Sequence, residues 1–257
     1  MYIDGHEHAD VVQARIAFCN KMIELMKRGD EVVFIAQDES IYYAKDGLTR
    51  TWHNDASLKR KGKGKGIMVS GWFDEKGPLE WMGNKSLYSL KFGREWGYYT
   101  FEKFKQDVLS TIEIAKAKYP NKHLVFLYDQ SSVHKKRGSD SLDTKKLNLK
   151  PGGKQPKMHD TIWNGCVQPL VFPDNHPIYP GQPKGATAIA SERGFDVSGK
   201  KKDEIVEWIS HCEDFKCEKT LLETIHEQNG QTCLFLPKFH CEFNWAELIW
   251  ANSKLYC

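Results

Sequence analysis

Two short, strongly apolar runs constrain this chain more than anything else in it, because each delivers an aspartate. Glu31-Val-Val-Phe-Ile-Ala-Gln37 leads into Asp38, and His123-Leu-Val-Phe-Leu-Tyr128 leads into Asp129. Runs of this length, rich in β-branched and aromatic residues, read as buried strands. Between them Phe101, Phe104, Val108, Leu109, Ile112 and Ala115 recur at helical spacing, so a long helix is expected from Thr100 to Lys118, closed by Tyr119-Pro120-Asn121. A helix that crosses over between two such strands makes them parallel neighbours. The two aspartates then stand beyond adjacent strand ends, where open α/β sheets bind ligands.

The rest of the chain fits around that pair. Val11, Ala14, Phe18, Met22, Leu25 and Met26 make an amphipathic lead-in helix of about residues 10–28. Further strands are expected at Ile41 to Ala44, before the hairpin signal Asp46-Gly47, and at Gly66 to Phe73, before the turn Asp74-Glu-Lys-Gly77. Three antiparallel strands, a crossover helix and a parallel strand open a ribonuclease H-like fold: α/β, with a mixed five-stranded sheet flanked by helices. From about 134 to 215 the pattern weakens into Pro- and Gly-rich turns, with helical pieces near Ala186–Arg193 and Lys202–Ser210. That stretch is too long for an ordinary loop and reads as a large insertion in one domain spanning 1–257. Trp163, Phe172, Tyr179 and Trp208 within it point to an ordered subdomain beside the active site. A helix at Glu218–Gln228, a strand at Thr232–Leu236 and a helix from Trp245 to about Leu255 close the chain.

Composition supports a packed core: 40% of the 257 residues are apolar and eight are tryptophan. No apolar run approaches the roughly 18 residues of a membrane span, and the amino terminus lacks a secretory layout, so an intracellular protein with no membrane partner is expected. Seven cysteines at irregular spacing, without a CxxC pair, argue against a disulfide framework and a structural zinc site. His211-Cys212 and His240-Cys241 remain as ligands that folding would have to assemble. Net charge is only +3, but Lys59, Arg60, Lys61, Lys63 and Lys65 fall within seven residues. Such a run is a solvated loop or a nucleic-acid contact, and Lys154 and Lys157 invite the same two readings. Its glycines lack the spacing of a nucleotide-binding fingerprint.

Two carboxylates at neighbouring strand ends repel each other, and a divalent cation resolves the repulsion. Oxygen donors without thiolate or imidazole select Mg²⁺ or Mn²⁺. Taken singly, each aspartate is equally a turn former or a helix cap. A third ligand is expected from the closing helix. In Asn244-Trp-Ala-Glu247 the acid is either that ligand or the reciprocal half of a capping box. Glu242 is its rival by spacing, and Glu39 is a further carboxylate beside the site.

Gln37-Asp38-Glu-Ser-Ile, Tyr128-Asp129-Gln-Ser-Ser-Val-His134 and Glu242-Phe-Asn-Trp-Ala-Glu247-Leu-Ile-Trp250 resemble the three catalytic blocks of the mariner and insertion-sequence transposases, the DDE superfamily endonucleases. Pro151-Gly-Gly-Lys-Gln-Pro-Lys-Met158, Pro183-Lys-Gly185, Glu192-Arg-Gly194 and Phe235-Leu-Pro-Lys-Phe-His-Cys-Glu242 resemble a eukaryotic, fungal-type branch with a long insertion before the last acid. The intervals, 129 − 38 = 91 and 247 − 129 = 118, place the extra length after the second acid. The resemblance implies that Asp38, Asp129 and Glu247 are catalytic metal ligands and that Glu242 is only their neighbour. It implies two Mg²⁺ or Mn²⁺ ions and two-metal phosphoryl transfer that cleaves and joins DNA. The implied partners are double-stranded DNA, as transposon ends and target, and a second subunit in a homodimer, with nuclear localisation in a eukaryote. The family's amino-terminal helix-turn-helix is not seen in this sequence. Gln130 stands where Asn is usual, Trp245-Ala246 where Pro-Ile is common, and His159 where Arg is frequent. A ribonuclease H or exonuclease, and a domesticated DNA-binding module without catalysis, are the competing expectations.

Overall fold

The computed structural model describes residues 5–44, 64–91 and 99–255. In chain order the elements are α1 (Ala9–Met26), β1 (Val32–Tyr43), β2 (Gly66–Asp74), β3 (Gly77–Pro78), β4 (Glu80–Trp81), β5 (Asn84–Lys85), β6 (Leu87–Lys91), α2 (Phe101–Lys118), β7 (His123–Tyr128), β8 (Thr161–Trp163), β9 (Cys166–Gln168), α3 (Ala186–Glu192), α4 (Lys202–Ser210), α5 (Glu213–Lys216), α6 (Leu221–Gln228), β10 (Thr232–Phe235) and α7 (Ala246–Lys254). They form two compact units, Met1–Lys136 with Leu222–Cys257, and Arg137–Leu221.

The first unit is built on a six-stranded sheet in the order β10-β7-β1-β2-β3, with β6 also paired to β2. Strands β10, β7 and β1 run parallel, and β2 is antiparallel to both β1 and β6. The sequence β6-β2-β1-β7-β10 is the ribonuclease H-like strand order. The sixth strand, beyond the five expected, is the two-residue β3.

Two expected strands prove to be one. The polar triplet Asp38-Glu39-Ser40 reads as a break, yet β1 runs unbroken for 12 residues. Tertiary pairing overrides local propensity here, because Asp38, Glu39 and Ser40 lie opposite Gly71, Ser70 and Val69 of β2. Gly71 has to be glycine: a Cβ there would come within 2.8 Å of the Leu87 and Phe73 side chains. The third antiparallel strand is therefore β6, a five-residue segment that sequence reasoning passed over. The hairpin signal at Asp46-Gly47 lies outside the described residues.

Alternation along β7 sorts the two faces of the sheet. Val125 and Leu127 join Phe18 and Leu25 of α1, Phe73, and Ala246 and Trp250 of α7 in one core. Phe126 and Tyr128 point the other way, where Phe104 of α2 and His226 of α6 meet their rings. On that face Trp72 Nε1 donates to the Tyr128 hydroxyl at 3.4 Å, and Tyr128 pairs with His226 Nε2 at 2.8 Å. His226 Nδ1 meets Gln231 Oε1 at 2.8 Å. Gln231 Oε1 can only accept, so Nδ1 carries the proton and the Tyr128 hydroxyl donates to Nε2. Asp74, buried at the end of β2, accepts from Lys118 Nζ at 2.6 Å and the Tyr119 hydroxyl at 2.7 Å, fastening the end of α2.

The second unit has its own core of Leu142, Leu147, Met158, Leu170, Ile189, Ile205, Ile209 and Phe215. The Arg193 guanidinium holds Asp214 through two bonds of 3.0 and 2.6 Å, with Nε on Gln168 Oε1 at 2.8 Å. The rings of Trp163 and Phe215 lie 4.6 and 5.2 Å from it. This doubly bonded, ring-packed arginine ties the β8–β9 hairpin to α3 and α5. Gly185, in the Pro-Lys-Gly motif, is required by close approach, since a Cβ would stand 2.4 Å from the Lys150 carbonyl carbon. Among the described residues, no helix is long and apolar enough to cross a membrane.

Candidate active site

The parallel ladder between β1 and β7 ends at Ala36 opposite Leu127. Asp38 follows two residues later within β1, and Asp129 comes directly after the end of β7. Strand β7 stops at Tyr128 while β1 continues along β2. Asp38 is thus inside its own strand, not at its end as expected, but it lies beyond the end of its parallel neighbour. A notch opens there because one strand stops and the other does not.

The third acid reaches the notch through Asn244. This buried side chain donates from Nδ2 to the Gln37 carbonyl at 3.1 Å, and its Oδ1 accepts from Ala246 N at 3.2 Å. One residue therefore bonds the backbone next to Asp38 and caps the first turn of α7, which carries Glu247. The expected reciprocal bond from Glu247 is not part of this cap. The far end of α7 is tied back to β1 by a Tyr42–Ser253 hydroxyl pair.

Asp38, Asp129 and Glu247 line one cavity of about 570 Å³, together with Gln130, Ser131, Asn244 and the segment Leu236–Cys241. Glu242 does not line it; its Oε1 bonds His240 Nδ1 at 2.6 Å. His240 in turn meets Arg15 of α1 at 3.3 Å. Gln130 reaches across to the Leu236 carbonyl at 2.8 Å, joining the ends of β7 and β10.

Charge is concentrated here. Burial, and then the negative charges of Glu39, Glu247 and Asp129, push the Asp38 carboxyl up to about 7. Burial also works to raise Asp129, but the hydrogen bond and charge of His134 and the Ser131 amide outweigh it and hold Asp129 below the usual range. His134 is fully buried; its Nδ1 lies 2.6 Å from Asp129 Oδ1, and its Nε2 faces Glu39 Oε1 at 3.4 Å, an ion pair without hydrogen-bond geometry. Burial would lower this imidazole, yet the two carboxylates outweigh it and raise it to about 9. The ring of Phe104 on α2 backs it at 4.5 Å.

The donor set suits a hard divalent cation, being oxygen throughout, and the accumulated negative charge that raises Asp38 is what such a cation neutralises. As the side chains stand, no three His, Cys, Asp or Glu among the described residues are grouped closely enough to hold a metal ion. His211 bonds the Glu207 carbonyl, and Cys212 and Cys241 are free thiols. Of the basic residues, Lys59, Arg60, Lys61 and Lys63 lie outside the described residues. Lys65 is exposed just before β2, and Lys154 and Lys157 are exposed in the second unit. The positioning roles of His134 and Asn244 were not read from the sequence, although both stand inside the quoted motifs.

No family model matches the sequence, and no curated protein matches it. Among solved structures, the chain is similar to the Mos1 transposase paired-end complex with left transposon end: 17% identity, TM-score 0.39, covering 53% of this chain and 40% of that one. The Mos1 mariner paired end complex with Mn gives 17% identity and a TM-score of 0.39, over 52% of this chain and 40% of that one. The Mos1 transposase catalytic domain with Raltegravir and Mg gives 15% identity and a TM-score of 0.36, over 51% of this chain and 55% of that one. The chain therefore matches about half the length, or less, of these proteins.

Proposed function

We propose that this chain is the catalytic part of a DDE-type transposase, a divalent-metal-dependent endonuclease that cleaves and transfers DNA strands. The observation that carries the reading is that Asp38, Asp129 and Glu247, from three separate segments, line one cavity where a parallel strand pair ends in a ribonuclease H-like sheet. The resemblance of the surrounding motifs to the mariner and fungal-type transposases supplies the substrate class.

In this reading the three carboxylates hold Mg²⁺ or Mn²⁺, two ions by the family pattern. When bound, such ions lower the pKa of a coordinated hydroxyl and stabilise a leaving oxygen in phosphoryl transfer. The protein's own part is positional. His134 holds Asp129 ionised through Oδ1, Asn244 fixes the start of α7 against the backbone beside Asp38, and Gln130 braces the cavity floor. The carboxylates act as ligands, not as a general acid–base pair. Lys59, Arg60, Lys61, Lys63, Lys65, Lys154 and Lys157 are assigned to phosphate contacts that set affinity without reading sequence. Transposon ends and target DNA are the proposed partners, a homodimer the proposed assembly, and the nucleus the proposed compartment.

Incubation of the chain with supercoiled plasmid tests the reading. Nicked and linear products are expected with Mg²⁺ or Mn²⁺ and none with EDTA. Asp38→Asn, Asp129→Asn and Glu247→Gln should each lower the rate by more than the roughly 100-fold that even outer partners of metal ligands can cost. Glu242→Gln should leave most of it. DNA binding with no cleavage under any divalent ion would instead mark a catalytically silent module.

A further inference from the structure

Phe239 sits where a phenylalanine is costly. Pro237-Lys-Phe-His240 is a turn closed by His240 N donating to the Pro237 carbonyl at 3.3 Å. Its third residue, Phe239, has φ of +65°, a region normally left to glycine or asparagine. The side chain adds nothing to the core: it is 59% exposed. Yet its ring is held. Gly5 lies so close that a Cβ would stand 3.1 Å from two ring carbons, and the His6 ring is tilted against it at 6.1 Å. Phe239 also lines the cavity that holds Asp38, Asp129 and Glu247, and exposed Lys238 precedes it. An aromatic ring in a strained backbone conformation, backed on one side and open on the other at the rim of a charged site, is a preformed platform.

We propose that Phe239 stacks on a nucleobase of the DNA strand whose phosphodiester lies at the three carboxylates, with Lys238 meeting a flanking phosphate. The occupant follows from the pairing of chemistries at one rim. A flat apolar face beside a cation fits a base attached to its phosphate, and an aromatic platform accepts any base because every base has a π-face. A fully stacked duplex hides those faces, so the platform takes a base at a strand end or one displaced from its partner. This inference rests on the DNA-cleaving reading of the same cavity.

The test uses the full chain and oligodeoxynucleotides carrying a single 2-aminopurine, moved position by position along the strand. Wild type should quench the probe strongly at one position, as stacking does. Phe239→Trp and Phe239→Tyr should keep that quench and bind within about 2-fold of wild type, whereas Phe239→Ala and Phe239→Leu should lose it and bind roughly 10-fold more weakly. Leucine keeps the bulk that packs on Gly5 but has no π-face, so it separates stacking from support of the fold. Cleavage together with an unchanged quench in Phe239→Leu would overturn the inference and leave the proposed function standing. A wild-type chain that neither binds these strands nor nicks plasmid with Mg²⁺ or Mn²⁺ would overturn both.

Discussion

At the scale of single residues, the site is organised by which carboxylate is given a permanent partner. Asp129 has His134 and the Ser131 amide on the same oxygen, whereas Asp38 has three carboxylate neighbours and is pushed up. The buried imidazole between Asp129 and Glu39 is therefore a positioning device, and its removal leaves Asp129 held by the Ser131 amide alone. His134→Ala is expected to lower plasmid cleavage about 10- to 100-fold, the usual effect of losing a partner of a metal ligand. His134→Asn, whose amide can replace Nδ1, should recover part of the rate. Equal losses in both variants, measured on chains of matched circular dichroism, would contradict the role.

His226 behaves in the opposite way. Burial lowers its imidazole to about 4, and the neighbours that meet it, Tyr128, Gln231 and Phe126, carry no charge at neutral pH. The folded state therefore binds its proton less readily than the unfolded chain, whose ordinary value is 6.5. Stability from this group is complete above pH 6.5 and declines as pH falls towards 4, by a total of about 3 kcal/mol. Urea unfolding of wild type and His226→Gln between pH 7.5 and 4.5 checks this. The difference between the two curves should narrow or reverse at the acid end, and parallel curves would refute it.

At the scale of elements, α7 illustrates how a short helix is aimed. Its nine residues put Ala246 and Trp250 into the core, but direction comes from Asn244 and the Tyr42–Ser253 pair. Asn244→Ala removes the cap and orphans a buried carbonyl at Gln37, so a loss of roughly 1–3 kcal/mol is expected by chemical denaturation. Asn244→Asp keeps the capping oxygen but loses the donor to Gln37 and adds a negative charge at an already anionic notch. Both variants should reduce cleavage far more than their stability loss explains, because Glu247 loses its aim. Activity falling only in proportion to the folded fraction would show that α7 is held by packing alone.

At the scale of the whole molecule, two cores account for the two compact units. Each buries its own apolar set, so unfolding in urea should proceed in two steps, each followed by its own probes. Gly185→Ala, which forces a Cβ against the Lys150 backbone, should move the step reported by Trp163 and Trp208 and leave the far-ultraviolet signal of the other step in place. One concerted transition, shifted as a whole, would show the cores to be coupled.

Elements with strong periodicity were legible in the sequence. α1, α2 and β7 lie within about two residues of where apolar spacing put them, because each buries one regular face, and the helical pieces expected in the weakly patterned stretch match α3 and α4. The parallel β1–β7 pair and its two aspartates followed from the same signal. The continuity of β1 through Asp38-Glu39-Ser40 was not legible, since it depends on β2 offering Gly71 and Ser70 opposite those residues. Nor was β6, a five-residue strand whose place is set by its pairing with β2. Spacing alone left Glu242 and Glu247 open as the third acid. The family resemblance favoured Glu247, and in the fold Glu242 bonds His240 while Glu247 lines the cavity, in a helix whose start is tied by Asn244 to the Gln37 carbonyl. Local chemistry determined most of the strands and helices and the partners of Asp129, while the placement of α7 beside Asp38 was decided by the Asn244–Gln37 and Tyr42–Ser253 contacts across more than two hundred residues.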